Sequence, residues 1–389
     1  MKYKQLYSTF AEEERRALHK VVASDMFTMG DHVREFEQQF AQYFGMKHAV
    51  MVNSGSSANL IAVASLFYRK HNPLKPGDEV IVPNISWSTT FYPLHQYGLK
   101  LRFVDVDLHT LNIDVEELKK AIRAGGKKVR MVMAVSILGN PCKFDEITRL
   151  CKANNLILFE DNCESMGAKF NGQYTGTFGL VNTFSTFFSH HISTMEGGLI
   201  LTNDKELYYL AKSLRSHGWT RGLEPGCGLY KKKYDDFFEA YRFILPGYNV
   251  RPTELQGAVG KVQLKKLDNF LKIRRENAKY FTALFENDER FIIQKETGQS
   301  AWFSFTMIVN PKSGINREKV LRTLKQAGIE YRIITGGCML RHDVIKYFDY
   351  TYTKSVNADI AHYKGFFVGN CPFDIRKQID YLHKTLKGI

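Results

Sequence analysis

Three short runs of this 389-residue chain bring together residue types that can do chemistry. In Asn53-Ser54-Gly55-Ser56-Ser57-Ala58-Asn59-Leu60 an apolar run passes through small residues into a helical pattern. The first N–H groups of a helix have no intrahelical acceptor, so Gly55, Ser56 and Ser57 are candidates for an anion cup, above all for a phosphate. Turn formation and N-capping account for the same residues equally well. In LILFEDNCESMGA, Asp161 ends the apolar run that begins at Leu156. A carboxylate at the C-terminal edge of a parallel strand sits where open α/β sheets bind ligands. Fixed against a pyridine nitrogen, it would keep that nitrogen protonated so that the ring can accept electrons. The alternative is a turn or N-cap aspartate. The third run, TFSTFFSHHISTMEGG, carries His190 and His191. They read either as side chains that exchange protons near neutral pH or as a pair of satisfied polar residues in a loop.

Such residues need elements to hold them. HAVMVN, DEVIVP, LRFVDV, VRMVMAV and LILFED are short apolar runs separated by helical stretches such as VEELKKAIRA and FDEITRLCKA. That alternation predicts a mostly parallel sheet covered by helices, with right-handed crossovers. Asp31 reads as the N-cap of a helix carrying Val33, Phe36, Phe40 and Phe44 at helical spacing. GGLILTN predicts a further strand. From Arg251, PTELQGAVGKVQLKKLDNFLKIRRENAKYFTALF keeps helical periodicity far beyond an average helix and reads as a bridge between domains. WFSFTMIVN, REKVLRTLKQAG and IEYRII then predict strand, helix and strand, with a last helix around IRKQIDYLHKTL. The expected organisation is α/β, with a large domain over 1–250 and, over 251–389, the bridging helix and a small C-terminal domain.

Composition narrows the function classes. The 44% hydrophobic content can bury a large core. No run reaches the ~18 apolar residues of a membrane span, and the N-terminal stretch is too charged for a signal peptide, so a soluble, cytoplasmic protein is expected. The net charge of +14 suits nucleic acid, an anionic surface or a phosphate-bearing substrate. Its densest runs, Lys119 to Arg130 and Lys231 to Lys233, lack interleaved aromatics and read as solvated faces, so neither nucleic acid nor membrane is expected as a partner. Six cysteines without a CxxC pair argue against a zinc site or a stapled secreted scaffold.

The order SGSSAN, SWSTT, EDNCES, FS…H…EGG and GYNVRP resembles the DegT/DnrJ/EryC1/StrS-type sugar aminotransferases, pyridoxal-phosphate enzymes that act on nucleotide-linked 4-keto sugars. The likeness runs from about residue 25 to residue 260 and more loosely beyond. It implies a fold-type I aminotransferase architecture and a homodimer. In most of that family the residue eight before the second glycine of EGG is the lysine that binds the cofactor covalently. Here it is His190, which has no primary amine. This substitution resembles the lysine-to-histidine members of the family that are dehydratases. The resemblance then implies that pyridoxamine phosphate supplies the amine, His190 moves the proton, and the C3 hydroxyl of a GDP-linked 4-keto-6-deoxymannose leaves, with L-glutamate restoring the amine. Cluster-dependent relatives hold iron and sulfur on several cysteines between the HG and GYN motifs. Here the interval from His217 to Tyr248 contains only Cys227, too few for four ligands, and no metal is expected.

The resemblance assigns further residues one at a time. Trp87 matches the aromatic that stacks on the cofactor ring, although a core tryptophan reads the same. Glu164 stands where the family more often has glutamine, near the ring face and phenolic oxygen. Ser185 and Asn249 match phosphate ligands, Asn249 reaching into the neighbouring subunit's site. His217 and Arg251 match the substrate side, a structural ion pair being the alternative for Arg251. Two rival readings remain. One is an aminotransferase using another lysine, of which Lys205 and Lys212 are nearest. The other is a non-catalytic binder of nucleotide sugars.

Overall fold

The computed structural model describes residues 2–224 and 226–389. The helices are α1 (Glu12–Val22), α2 (Asp31–Tyr43), α3 (Gly55–Tyr68), α4 (Ser88–Gln96), α5 (Val115–Gly125), α6 (Phe144–Ala153), α7 (Lys205–Arg215), α8 (Asp236–Glu239), α9 (Glu254–Phe285), α10 (Arg317–Gln326), α11 (Val356–Lys364) and α12 (Arg376–Lys387). The large sheet takes β1 (His48–Val52), β2 (Glu79–Pro83), β3 (Lys100–Val104), β4 (Val129–Val135), β5 (Ile157–Asp161), β8 (Val181–Ser185), β9 (Gly198–Thr202) and β13 (Tyr350–Tyr352). A separate hairpin pairs β6 (Lys169–Phe170) with β7 (Gln173–Tyr174). The C-terminal sheet consists of β10 (Phe291–Ile293), β11 (Ser304–Val309), β12 (Tyr331–Arg332) and β14 (Gly365–Gly369).

The large sheet has the order β1-β9-β8-β5-β4-β2-β3-β13. Every neighbouring pair from β8 to β13 is parallel, whereas β9 runs antiparallel to both β8 and β1. This is the mostly parallel, helix-covered α/β sheet that the alternating pattern predicts. Its central strands are buried along their whole length, which is why they read as continuous apolar runs rather than alternating ones. α3, apolar almost all round, lies in the middle of the main core with Ile61, Ala62, Val63 and Leu66 fully buried.

Register brings the chemistry together. Val135 faces Asp161, Asp161 faces Thr183, Ser185 faces Gly198, and Gly198 faces Val52. The C-terminal ends of β1, β4, β5 and β8 and the start of β9 therefore open on one edge of the sheet, the edge at which α/β folds bind ligands.

The bridging helix α9 runs unbroken for 32 residues, about 48 Å at 1.5 Å per residue. It starts behind Pro252 with a capping box in which Thr253 N–H donates to Gln256 Oε1 at 2.7 Å. Asp31 is not the N-cap of α2: Gly30 takes that position and Asp31 is the first helical residue. The open N–H groups of Gly30, His32 and Val33 donate to the Glu254 carboxylate at 2.8, 2.8 and 3.0 Å, so a buried side chain from the far helix does the capping.

Two segments cross the expected division at residue 250. Tyr3 is buried in the C-terminal core, donating its hydroxyl to the Gly369 carbonyl at 2.6 Å. In return β13 joins the large sheet beside β3. IEYRII is strand only at Tyr331–Arg332. The centre of the small sheet includes β14, pairing with β11 and β12, in the glycine-flanked run GFFVG.

Candidate active site

A cavity of about 510 Å³ lies at the sheet edge where β1, β5 and β8 end and is roofed by residues of the C-terminal unit. Gly55, Ser56, Trp87, Asp161, Glu164, Ser185 and His190 all line it, and no lysine does among the described residues. A larger groove of about 990 Å³ runs between α2 and α7, but it holds neither Asp161 nor His190 and has Lys212 on its wall.

Asp161 is buried and fully oriented. Asn59 Nδ2 donates to Oδ2 at 2.9 Å, the Thr90 hydroxyl to the same oxygen at 2.8 Å, and the Cys163 N–H to Oδ1 at 3.1 Å. Asn59 is itself turned by the Thr183 hydroxyl, which donates to Oδ1 at 2.6 Å. Such a clamp fixes a carboxylate against a cationic N–H. Asn59 and Thr90 both sit inside the quoted motifs SGSSAN and SWSTT, where helical spacing from Ser56 and from Trp87 could have singled them out; their meeting on one carboxylate could not be read off, because the donors come from α3, α4 and the turn after β5.

The anion cup is partly as expected. Ser54 caps α3, its Oγ accepting from the Ser57 N–H at 3.0 Å. The Ser57 hydroxyl donates to Asn53 Oδ1 at 2.6 Å. Ser57 is therefore spent inside the turn and does not line the cavity, which leaves the opening N–H groups of Gly55 and Ser56. A Cβ on Gly55 would stand 2.6 Å from Ser185 Cβ and 3.0 Å from Cys163 Sγ, so only glycine leaves this cradle open. The Ser185 hydroxyl accepts from the Phe187 N–H at 3.3 Å and keeps its own proton to donate.

His190 sits in a turn closed by its N–H to the Phe187 carbonyl at 2.9 Å, its ring edge-on to Phe303 at 5.0 Å. Burial pulls the imidazole down to about 4, the Arg274 guanidinium adding to this while the Cys163 and Ser185 carbonyls oppose it. Nδ1 is buried without a hydrogen-bond partner among the described residues, and the residue lines the cavity. His191 is fully buried with Nε2 at 3.2 Å from the Ala301 carbonyl and is structural. Trp87, 58% exposed, is no core tryptophan: it lines the cavity.

Glu164 Oε2 accepts from the Leu138 N–H at 2.9 Å and from the Thr335 hydroxyl at 3.2 Å. Burial, with the nearby Asp161 charge, pushes its carboxyl up to about 7 against these two donors. The part of Glu164 that remains accessible faces the cavity. Leu138 and Thr335 gave no signal in the sequence.

His217, Asn249 and Arg251 do not line this cavity. Arg251 Nε donates to Asn249 Oδ1 at 3.1 Å, and its guanidinium lies 5.7 Å from the Trp219 ring centre. Among the described residues Arg251 forms no ion pair. The His217 ring meets the same tryptophan edge-on at 5.0 Å.

The site fits a planar pyridine phosphate. It offers a clamped carboxylate for a ring nitrogen, a glycine-only cradle at a helix start for a phosphate, an exposed indole for the ring face and an imidazole on the cavity wall.

Residues 8–368 match the model of the DegT/DnrJ/EryC1/StrS aminotransferase family. The chain is 50% identical over 383 residues to the GDP-4-keto-6-deoxy-D-mannose 3-dehydratase of Escherichia coli O55:H7, covering 98% of each protein. A crystal structure of a GDP-4-keto-6-deoxymannose-3-dehydratase variant with bound GDP-perosamine superposes with a TM-score of 0.96 at 49% identity, over 99% of this chain and 100% of that one. A second crystal structure of an enzyme of that name, with a trapped adduct of pyridoxal phosphate and glutamate, gives the same TM-score of 0.96, identity of 49% and coverage of 99% and 100%.

Proposed function

The chain belongs to the DegT/DnrJ/EryC1/StrS aminotransferase family, and we propose that it is a nucleotide-sugar 3-dehydratase, removing the C3 hydroxyl of GDP-4-keto-6-deoxy-D-mannose on the way to a 3,6-dideoxysugar. One observation carries this reading: an imidazole, His190, shares with Asp161 a cavity that no described lysine lines. The 50% identity across nearly the whole chain to an enzyme of that name supports the substrate.

The cofactor is pyridoxal 5'-phosphate, with pyridoxamine 5'-phosphate as its amine form. Bound here, it supplies an amine for the C4 ketone and a ring that accepts electrons. Gly55, Ser56 and Ser185 hold its phosphate, the Trp87 indole covers a ring face, and the Asp161 carboxylate, immobilised by Asn59, Thr90 and Cys163, meets the ring nitrogen. His190 takes and returns a proton at Nε2. With its basicity held down to about 4, the ring is neutral and ready to accept a proton at physiological pH. L-Glutamate restores the amine form, as the glutamate adduct of the relative suggests.

The enzyme acts as a cytoplasmic homodimer in which Asn249 completes the partner's phosphate site, and His217 and Arg251 face the substrate from that same side. Their place outside the cavity of their own chain supports this, as do six free thiols of the kind a reducing compartment preserves. The rival aminotransferase reading is poorly served, because Lys212 lies over the Tyr208 ring in the other groove.

Incubation with pyridoxamine phosphate, L-glutamate and GDP-4-keto-6-deoxymannose, followed by mass spectrometry, tests the reading. A 3-deoxy-4-keto sugar and 2-oxoglutarate are expected. A 4-amino sugar that keeps its C3 hydroxyl would overturn it.

A further inference from the structure

Between β12 and β13 the roof of the cavity turns sharply, and a histidine holds that turn from outside. Ile333, Thr335 and Gly336 line the cavity. The residues that follow cross to the large sheet: Cys338 bridges to Ile85, and the Met339 N–H donates to the Asn84 carbonyl at 2.8 Å. The turn therefore lies against the segment that carries Ser86 and Trp87, which also line the cavity; a Cβ on Gly336 would stand 3.4 Å from the Ser86 carbonyl oxygen. Thr335 has left-handed backbone at φ 40, a costly conformation for a branched residue that persists only where the surroundings impose it. On the side away from the cavity, the Cys338 N–H donates at 3.2 Å to Nδ1 of His362, in the last turn of α11. Gly337 makes room for this contact, since a Cβ there would stand 2.4 Å from the same nitrogen.

A backbone N–H can only donate, so the ring nitrogen that accepts it carries no proton. His362 is therefore neutral, with its ring proton on Nε2, and a proton added at Nδ1 would set one N–H against another. His342, the other histidine at this turn, is placed the opposite way. Its Nε2 meets the Gly336 carbonyl at 2.7 Å, a contact that needs a proton on Nε2 and survives in the cation. We propose that His362 is a positioning residue of the site: as a neutral acceptor it holds the turn from Thr335 to Cys338 over the cavity, and a proton taken up at Nδ1 releases that turn. This rests on the cofactor reading given above.

Charged and titratable groups face the ring from each element packed against it. α10 contributes Arg317, whose Nη1 donates to the His362 carbonyl at 2.6 Å. The turn contributes the Cys338 thiol, Arg341 and His342, whose ring stands at right angles to that of His362 at 6.0 Å. α11 itself contributes Asp359 and Tyr363. Asp359 Oδ1 accepts from Arg341 Nε at 2.8 Å, so much of its charge is already answered. Burial, followed by His342 and Arg317, holds the imidazole below its ordinary range against the opposing pull of Asp359. For a histidine that direction means the turn is fully held above about pH 6.5 and is lost as pH falls through the lowered value.

The test compares the full-length protein with His362→Asn, whose Oδ1 stands where Nδ1 stood and takes no proton, and with His362→Leu, which removes the acceptor. Dissociation constants for pyridoxal phosphate are measured by absorbance from pH 5 to 8. Ionisations of the free cofactor, and of side chains that the substitutions leave unperturbed, cancel in ratios between the proteins. At pH 8 the Asn variant is expected to match the wild type and the Leu variant to bind about three- to tenfold more weakly, the worth of one hydrogen bond. Below about pH 6.5 the wild type is expected to weaken against Asn by the same factor and to converge on Leu. Amide exchange of residues 335–340 in the unliganded proteins, read by mass spectrometry, should follow suit: wild type equal to Asn at pH 8 and faster than Asn at pH 5. A purely structural His362 gives losses that do not change with pH. A wild-type to Asn ratio that stays flat from pH 5 to 8, or an Asn variant as weak as Leu at pH 8, overturns the proposal and leaves the dehydratase reading intact. Should the Leu variant not fold, the comparison with Asn decides by itself. If the wild type binds no pyridoxal phosphate at pH 8, the cofactor reading falls instead, and the exchange rates alone decide whether His362 holds the turn.

Discussion

At the scale of single residues, the site is a set of side chains whose environments push them apart in acidity. His190 is held far below the ordinary imidazole range by burial, and Glu164 is held above the ordinary carboxyl range. Opposed shifts of this kind keep the imidazole neutral and make the carboxyl a weaker acid than usual within one cavity. For His190 the sign is simple. A lowered value means the ring binds its proton only below about 4, so the base form is complete from pH 5 upward. Replacing His190 by Gln keeps volume and a polar tip but removes the exchangeable base. Single-turnover rates are expected to fall ~10²–10⁴-fold, with cofactor affinity, followed by absorbance, changed only a few-fold. A variant that loses the cofactor but, once saturated, reacts normally would make His190 a scaffold residue instead. At this scale the sequence was most legible where side-chain type and motif order coincide, at His190, Asp161 and Gly55. Ser57, from the same run as Gly55, has its hydroxyl bonded to Asn53 and Ser54.

At the scale of elements, periodicity marked the helices and the apolar runs marked the strands. The joints between elements were hidden, because capping groups arrive from distant parts of the chain. Asp31 has the type and position of an N-cap, yet the work passes to Glu254, 224 residues from Gly30. The buried Glu254 carboxylate receives three N–H groups and so ties the start of α9 to the start of α2. Glu254→Ala strands those donors beneath protein and is expected to cost about 1–3 kcal/mol. Asp31→Ala removes an exposed first-turn acid paired, among the described residues, with Arg34 alone and should cost less than about 1 kcal/mol. Urea unfolding midpoints of the two variants check the order. Equal effects, or a larger one for Asp31, would mean that the local cap dominates. β14 was missed for a related reason. Its strand formers Phe366, Phe367 and Val368 make too short a run between two glycines to stand out, and pairing on both sides completes the strand.

At the scale of the whole molecule, the cavity draws on both the large sheet and the C-terminal unit. The two sheets are laced together by the N-terminal segment and by β13, so the cavity floor from the large sheet and its roof from Phe303, Arg332 and Thr335 are held as one body. Neither exchange could be read from sequence, since each rests on pairings between residues more than two hundred positions apart. Asn249 nonetheless stands outside that body's own cavity, bonded to Arg251 beside Trp219. If it serves the neighbouring subunit, defects at Asn249 and at Asp161 fall on different sites of a mixed dimer. Asp161→Ala and Asn249→Ala should each be nearly inactive alone. Co-expressed with different tags, they form hybrids in which one site carries both defects and the other carries none. Random pairing in a twofold dimer then restores about a quarter of the wild-type sites, and purified hybrids about half. Recovery to that level, measured as dehydration rate per active site, would place Asn249 across the interface. A mixture no more active than its parents would return it to its own chain, where it could act only by fixing Arg251.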